Sequence, residues 1–520
     1  MNFGTQTICA IAFAGLALGW SVPMNADSLT VKTEDGKVQG KTINDGKVRA
    51  FLGLPYAAPP IGDLRWKAPQ PVASWKGVRD ATKFGNHCAQ NGSSADMVFL
   101  DSGASEDCLY LNVYTPADAK PGSKLPVMYW IHGGGYVGGA SSEPRHNGDF
   151  LPLKGVVLVT INYRLGVFGF LATSELAKEG NGHAGNYALM DMIAGLHWVK
   201  NNIAQFGGDP GNVTIFGESA GSFAVSTLMV SPLAQGLFAK AIGESGSGLS
   251  ALLGGGSLDD QVKANAAWMD AANIKSLKDL RAMTTDDVLK AASKKGMLAY
   301  GPVIDGLVLA EPVADSYAAG RQAHVPLLAG WNRDEGSGMA GASVTVNSWK
   351  ARAAKLFGDR SAEFLTLYPG DDDAQALRSS IDYGGDGFIA FGTWQWVEAQ
   401  TKTGQSPVYR YHLELPAPPS KFHPGNFAFH SDDIEYVFGT LDTRPGSVWR
   451  DEDRKLSELM MSYWTNFAKT GDPNGPGLPE WPRYDKSAAV MHLDADSKSA
   501  PDATRPRYDF LSQGMPPFQF

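Results

Sequence analysis

Hydrophobic positions along this chain of 520 residues come in short runs separated by turn signals. Over residues 31–51 apolar and polar positions alternate around Asp35-Gly36 and Asp45-Gly46, which predicts antiparallel hairpins. The pattern then changes. Residues 109–114, 125–131 and 156–162 are almost continuously apolar, as expected of strands covered on both faces. Residues 187–203 carry apolar side chains at helical spacing and stop before Gly207-Gly208-Asp209-Pro210. A β-branched run at 212–216 predicts a buried strand, and 222–229 predicts a helix directly after it. Residues 258–273 and 277–294 are Ala- and Lys-rich and read as helices, whereas 325–331 and 408–415 read as strands. Strands alternating with helices predict an α/β chain whose sheet is largely parallel and helix-covered on both sides.

Length alone suggests three or four domains. No Pro- or Ser-rich linker, long charge run or fixed repeat interrupts the interior, so one domain over residues 27–520 with helical insertions is expected. An apolar content of 43% supplies a large core. The net charge of −9 speaks against nucleic acid as a partner, because phosphate binding needs clustered Lys and Arg. Asp371-Asp372-Asp373 reads as a solvated loop. Residues 8–20 (ICAIAFAGLALGW) are apolar and uncharged, too short to span a bilayer comfortably and suited to a signal-peptide core. Residues 1–26 are therefore expected to be a signal peptide, although no Lys or Arg precedes Ile8. Export to the periplasm or beyond follows, with no stable membrane insertion. Cys9, Cys88 and Cys108 are the three cysteines, so removal of the leader leaves an even pair in an oxidising compartment.

The chemistry centres on Gly217-Glu218-Ser219-Ala220-Gly221, a G-x-S-x-G pattern lying between a predicted strand and a predicted helix. That context is what a nucleophile elbow requires: a sharp turn that lifts the serine hydroxyl above the sheet edge. A serine nucleophile needs a base, an acid that orients it, and donors for the oxyanion. His423 and His430 share a loop after the strand at 408–415, and Asp334 and Glu335 share one after 325–331. Spacing alone does not choose within either pair. His324 and His412 lie at or inside strands and read as structural. His132-Gly133-Gly134-Gly135 follows a strand and lets the backbone aim N–H groups at a substrate. It lacks the Gly-Lys-Ser/Thr ending of a phosphate loop. The amide of Ala220 is a further donor.

These residues resemble the type-B carboxylesterases, a family that includes the cholinesterases. The resemblance rests on Phe51-Leu52-Gly53-Leu54-Pro55-Tyr56-Ala57, Leu64-Arg65-Trp66, Glu106-Asp107-Cys108-Leu109-Tyr110-Leu111-Asn112, Asn162-Tyr163-Arg164-Leu165-Gly166, Phe206-Gly207-Gly208-Asp209-Pro210 running into the elbow, and Thr470-Gly471-Asp472-Pro473-Asn474. It implies an α/β-hydrolase fold with large helical insertions. It also implies a catalytic set of Ser219, Glu335 and His430, the last because HSDDIEYVFG is similar to the family's His block. Gly134, Gly135 and Ala220 would be the oxyanion donors, and Cys88 and Cys108 a disulfide. Arg65 with Glu106, and Arg164 with Asp191, are implied structural ion pairs. Glu218 either tunes the nucleophile or is a buried supporting carboxylate. The chain departs from the family's usual pattern at Met192, where a Gln is common.

The implied activity is hydrolysis of small to medium carboxylic esters through an acyl-enzyme, with neither metal nor organic cofactor. Alternatives are a lipase, a polyester or xenobiotic ester hydrolase, amide or carbamate hydrolysis, and, more remotely, a non-catalytic binding module. Phe388, Phe391, Trp394 and Trp396 are candidates for a substrate pocket, with Phe388 and Phe391 the nominated pair. Their spacing fits a helix buried in the core better. Neither the natural ester nor the oligomeric state is legible.

Overall fold

A strand whose two faces are both covered has no polar side to show. The run from Leu125 to Ile131 obeys this rule: Val127, Tyr129 and Ile131 pack into one core, Met128 and Trp130 into another, and all five are fully buried. This computed structural model describes Met1 and residues 29–92, 96–250, 252–296, 299–339 and 343–516. The expected signal peptide lies, apart from Met1, outside the described residues.

Eleven strands form the main sheet among the described residues. In chain order they are β1 (Lys41–Ile43), β2 (Val48–Pro55), β3 (Tyr110–Pro116), β4 (Leu125–Ile131), β5 (Val157–Ile161), β6 (Gly208–Glu218), β7 (Lys240–Glu244), β8 (Leu327–Asn332), β9 (Val408–Leu413), β10 (Ala489–Leu493) and β11 (Lys498–Pro501). Their spatial order is β1-β2-β3-β5-β4-β6-β7-β8-β9-β10-β11. The strands from β5 to β10 in that order pair in parallel. Antiparallel pairs close both edges. The chain therefore has the α/β-hydrolase fold, with a mostly parallel central sheet. The first expected hairpin, Thr30–Lys32 with Lys37–Gln39, sits in a separate small sheet.

Helices α1 (Tyr187–Asn202), α2 (Ala220–Leu228), α3 (Leu258–Ala271), α4 (Leu277–Ala282), α5 (Thr285–Ala292), α6 (Asp373–Gly385), α7 (Phe391–Thr403) and α8 (Asp451–Thr470) matter most here. Side chains of α1, α2 and α7 pack with Tyr129, Ile131 and Ile215 on one side of the sheet. Those of α8 pack with Trp130, Phe216 and Ile242 on the other. The region 277–294, expected as one helix, is two. Met283 is extended, and Thr284 caps α5 by accepting the Asp287 amide at 3.2 Å, so the side-chain cap wins over Ala/Lys propensity. β6 also begins earlier than expected, at Gly208, because a bulge before Val213 carries the Asp209-Pro210 turn inside the strand. Asp372 of the acidic triplet caps α6, accepting from the Gln375 amide at 2.8 Å. Among the described residues no helix is long and apolar enough to cross a membrane.

Candidate active site

The carboxyl ends of parallel strands gather at one edge of the sheet, and Ser219, Glu335, His430 and the glycine run at 133–135 lie on turns and loops leaving that edge. β6 ends at Glu218 and α2 begins at Ala220, so the whole turn is Ser219, at φ 54° and ψ −122°. Such dihedrals are sparsely populated for a residue with a side chain and cost on the order of 1–3 kcal/mol. The turn persists because it lies hard against β4: a Cβ on Gly221 would come within 2.0 Å of the Ile131 carbonyl oxygen. The glycine thus serves close approach of two backbones, while the strain falls on the serine.

His430 and Glu335 meet Ser219. His430 Nε2 is 2.9 Å from Ser219 Oγ, and His430 Nδ1 is 2.6 Å from Glu335 Oε2. Glu335 Oε1 accepts from Ser245 Oγ at 2.6 Å and from the Asn332 amide at 2.9 Å. The neighbours left open by spacing do not contact Ser219. Asp334 pairs with Arg333 and Arg378 and accepts from the Ala428 amide. His423 packs its ring on Phe429 and approaches Asp96 at 3.9 Å.

Glu218, next to Ser219 in sequence, is buried, with Oε1 accepting from Ser431 Oγ at 2.5 Å and lying 3.3 Å from His430 Nε2. Burial pushes its carboxyl up to about 7, partly offset by the imidazole of His430. On His430 burial opposes protonation, but the carboxylates of Glu218 and Glu335 outweigh it and lift the ring to about 9. Glu244, the register partner of Glu218 on β7, is also buried and is held well above the usual carboxylate range by burial and by Asp433. Trp464 Nε1 donates to its Oε1 at 2.7 Å.

Ser245, Asn332 and Ser431 were not foreseen. A signal for Ser245 was present, since Gly217-Glu218-Ser219 is repeated as Gly243-Glu244-Ser245 on the adjacent strand in register. Ser245 also has a positive φ of 55°, yet its hydroxyl is spent on Glu335.

Gly134 and Gly135 border the cavity above Ser219, both at positive φ. The Ala220 amide belongs to the first turn of α2, where backbone N–H groups lack intrahelical partners. The cavity encloses about 560 Å³. Its lining is apolar at Leu252, Leu253, Leu289 and Tyr300, from the insertion between β7 and β8, and polar at Gln90, Asp96, Arg145 and His423. Phe388 lines it too, its ring edge-on to His430 at 5.0 Å between centroids. The π-helical turn Asp386–Ala390 joining α6 to α7 carries this side chain. Phe391, nominated beside it, is absent from the cavity wall: it stacks on Trp394 and Tyr508 in the core, because α7 resumes ordinary helical spacing at that residue. Trp396 is likewise core.

Cys88 and Cys108 are disulfide-bonded. Arg65 clasps Glu106 through two bonds of 2.7 and 2.6 Å, and Arg164 clasps Asp191 at 2.8 and 2.7 Å; all four are buried and none touches Ser219.

Comparison with known proteins agrees with this architecture. Residues 27–511 match the carboxylesterase family. A fumonisin B1 esterase from Sphingopyxis macrogoltabida is 36% identical over 509 residues, covering 93% of this chain and 90% of that protein. A para-nitrobenzyl esterase from Bacillus subtilis (strain 168) is 36% identical over 507 residues, covering 93% and 99%. The solved structure of a thermophilic PNB esterase superposes with a TM-score of 0.80 at 35% identity, covering 93% of this chain and all of the other. A strand–serine–helix elbow beside a histidine and a buried carboxylate, on a sheet of this order, thus accompanies a match along nearly the whole length: the chain belongs to the carboxylesterase family and is a carboxylic ester hydrolase.

Proposed function

We propose that Ser219 is the nucleophile of this esterase, His430 its general base and Glu335 the acid that orients the base. The observation that carries this reading is the unbroken chain of contacts Ser219 Oγ–His430 Nε2–Glu335 at 2.9 and 2.6 Å. In the cycle, His430 takes the hydroxyl proton as Ser219 attacks the ester carbonyl. The amides of Gly134, Gly135 and Ala220 receive the oxyanion, each such donor being worth about 3 kcal/mol in the transition state. His430 then protonates the departing alcohol, and water releases the acyl group by the same route. Glu335 holds the tautomer that leaves Nε2 free to accept.

The substrates are small to medium esters. A cavity of about 560 Å³ lined by both apolar and polar side chains suits an ester with an apolar part and a hydrogen-bonding part. The protein works as one hydrolase domain over residues 27–520, exported by its leader to an oxidising compartment, as the Cys88–Cys108 disulfide supports. The test is hydrolysis of p-nitrophenyl esters from acetate to palmitate by the mature protein and by Ser219→Ala. The expected result is a short- to medium-chain optimum that the variant loses by a factor on the order of 10⁶. A folded variant retaining activity would remove Ser219 from its role, and a palmitate optimum would favour a lipase.

A further inference from the structure

A second cluster of chemistry-bearing side chains lies on strands β9 and β10. His412 is the register partner of His492 on these parallel strands, so both rings leave the same face of the sheet. Glu414 is two residues beyond His412, and its amide bonds to the Leu493 carbonyl at 2.8 Å, which continues the ladder and puts its side chain on that face as well. The three converge: Glu414 Oε1 is 2.9 Å from His412 Nδ1 and 2.6 Å from His492 Nδ1. Their side chains are 15%, 28% and 23% exposed for His412, Glu414 and His492, enough for an ion to enter and for water to complete its shell. Among the described residues the ion-pair partners of Glu414 are these two imidazoles alone; no Lys or Arg balances it. None of the three borders the Ser219 cavity.

We propose that His412, Glu414 and His492 bind a divalent transition-metal ion of the zinc class. Two neutral imidazoles and one carboxylate form a nitrogen- and oxygen-rich set that suits zinc, cobalt or nickel and is a poor match for calcium or magnesium, which prefer all-oxygen shells. The ligand atoms already lie within 4.8 Å of one another. Tetrahedral bonds of about 2.0–2.1 Å place ligand atoms about 3.3 Å apart, so the present contacts of 2.9 and 2.6 Å would open by about 0.4 and about 0.7 Å, well under an ångström each. Each imidazole moves its proton from Nδ1 to Nε2 and gives the Nδ1 lone pair to the metal, with no net loss of protons above the imidazole range. The ion ties β9 to β10 where the loop carrying His430 departs. Its effect is therefore on unfolding, and ester hydrolysis continues without it.

The test uses full-length protein stripped with a chelator. Cobalt(II) is titrated while its visible absorption is followed, zinc(II) is added in competition, and the unfolding midpoint is read with and without zinc. One ion per chain is expected, with tetrahedral cobalt bands, a higher midpoint, and at least tenfold weaker binding in both His492→Gln and Glu414→Gln. Retained hydrolysis of p-nitrophenyl butyrate certifies that each variant is folded. Absence of saturable binding, or equal binding by the wild type and both folded variants, would overturn the proposal and leave a metal-free hydrogen-bonded cluster.

Discussion

Replacing Glu218 by Gln tests whether the buried carboxylate sets the proton affinity of the base. Glutamine keeps the length of the side chain and an oxygen to accept from Ser431, but removes the charge 3.3 Å from His430 Nε2. At that separation a charge pair interacts by about 5 kcal/mol at an effective dielectric of about 20 and by about 1 kcal/mol in water. At about 1.4 kcal/mol per pKa unit, those limits correspond to roughly four units and one. The ring is a quarter exposed, which places the expected shift near the lower limit. The sign follows from the base's task. His430 must be neutral to accept the serine proton, and the carboxylates around it raise its pKa to about 9, so activity falls as pH drops through that range. Glu218, itself raised to about 7, begins to protonate on the same descent and gives up part of its hold on the imidazolium. The wild-type acid limb therefore belongs to the pair. In Glu218→Gln the limb of kcat/KM should move at least about one unit toward lower pH and sharpen to a single titration, with the plateau above it largely kept. A pH-stat with a neutral short-chain ester gives the profile. A limb that stays in place while the plateau holds would refute the reasoning, because no charge at 3.3 Å can vanish unnoticed by the group it faces.

Two further outcomes follow from the geometry. Replacing Cys88 and Cys108 by Ser opens a loop of 20 residues' separation and should cost about 3 kcal/mol in urea unfolding without altering the chain-length optimum; an unchanged midpoint would show that the bridge constrains nothing. Phe388→Ala should change the ratio of kcat/KM between short and medium esters, because that ring borders the cavity and abuts His430, whereas Phe391→Ala should lower stability by about 3–5 kcal/mol and leave the ratio alone; a reversed pattern would mean the cavity wall has been misassigned.

Burial on two faces is a strong one-dimensional signal, and it explains why the central strands and the elbow could be read directly. Val127 to Ile131 has no polar side to hide, and a glycine-flanked serine between strand and helix has few other uses. What spacing left ambiguous was choice among neighbours, which the family resemblance had to decide for the acid and the base. Asp334 and Glu335 differ by one residue on a turn, and only the fold shows that one faces two arginines and the other a histidine. Phe388 and Phe391 lie three residues apart, which on a regular helix would place them on one side together. The π-helical turn before α7 breaks that periodicity and parts them, and no apolar pattern records an extra residue in a turn. The cavity wall was hidden for another reason: Leu252, Leu289 and Tyr300 come from an insertion whose helices carry ordinary core-like spacing.

The carboxyl groups around His430 raise a question that sequence order could not pose. Glu218, Glu335 and Asp433 are buried around the imidazole of His430, Glu244 is buried beside Glu218 on the next strand, and four such charges cannot all persist in a medium that solvates them poorly. The fold separates their fates by the donors it gives each. Glu335 receives a hydroxyl and a backbone amide besides the His430 ring it contacts. Glu244 has one donor, the indole of Trp464, its second oxygen has no partner among the described residues, and burial with Asp433 nearby raises its pKa well above the usual carboxylate range. Asp433, held up to about 6 by burial although the Tyr411 hydroxyl donates to it at 2.7 Å, and Glu218 at about 7 lie between. Environment rather than residue type thus distinguishes them: two identical Gly-Glu-Ser steps on adjacent strands put Ser219 beside a titrating carboxyl on β6, and a hydroxyl bonded to Glu335 beside a carboxyl raised well above its usual range on β7.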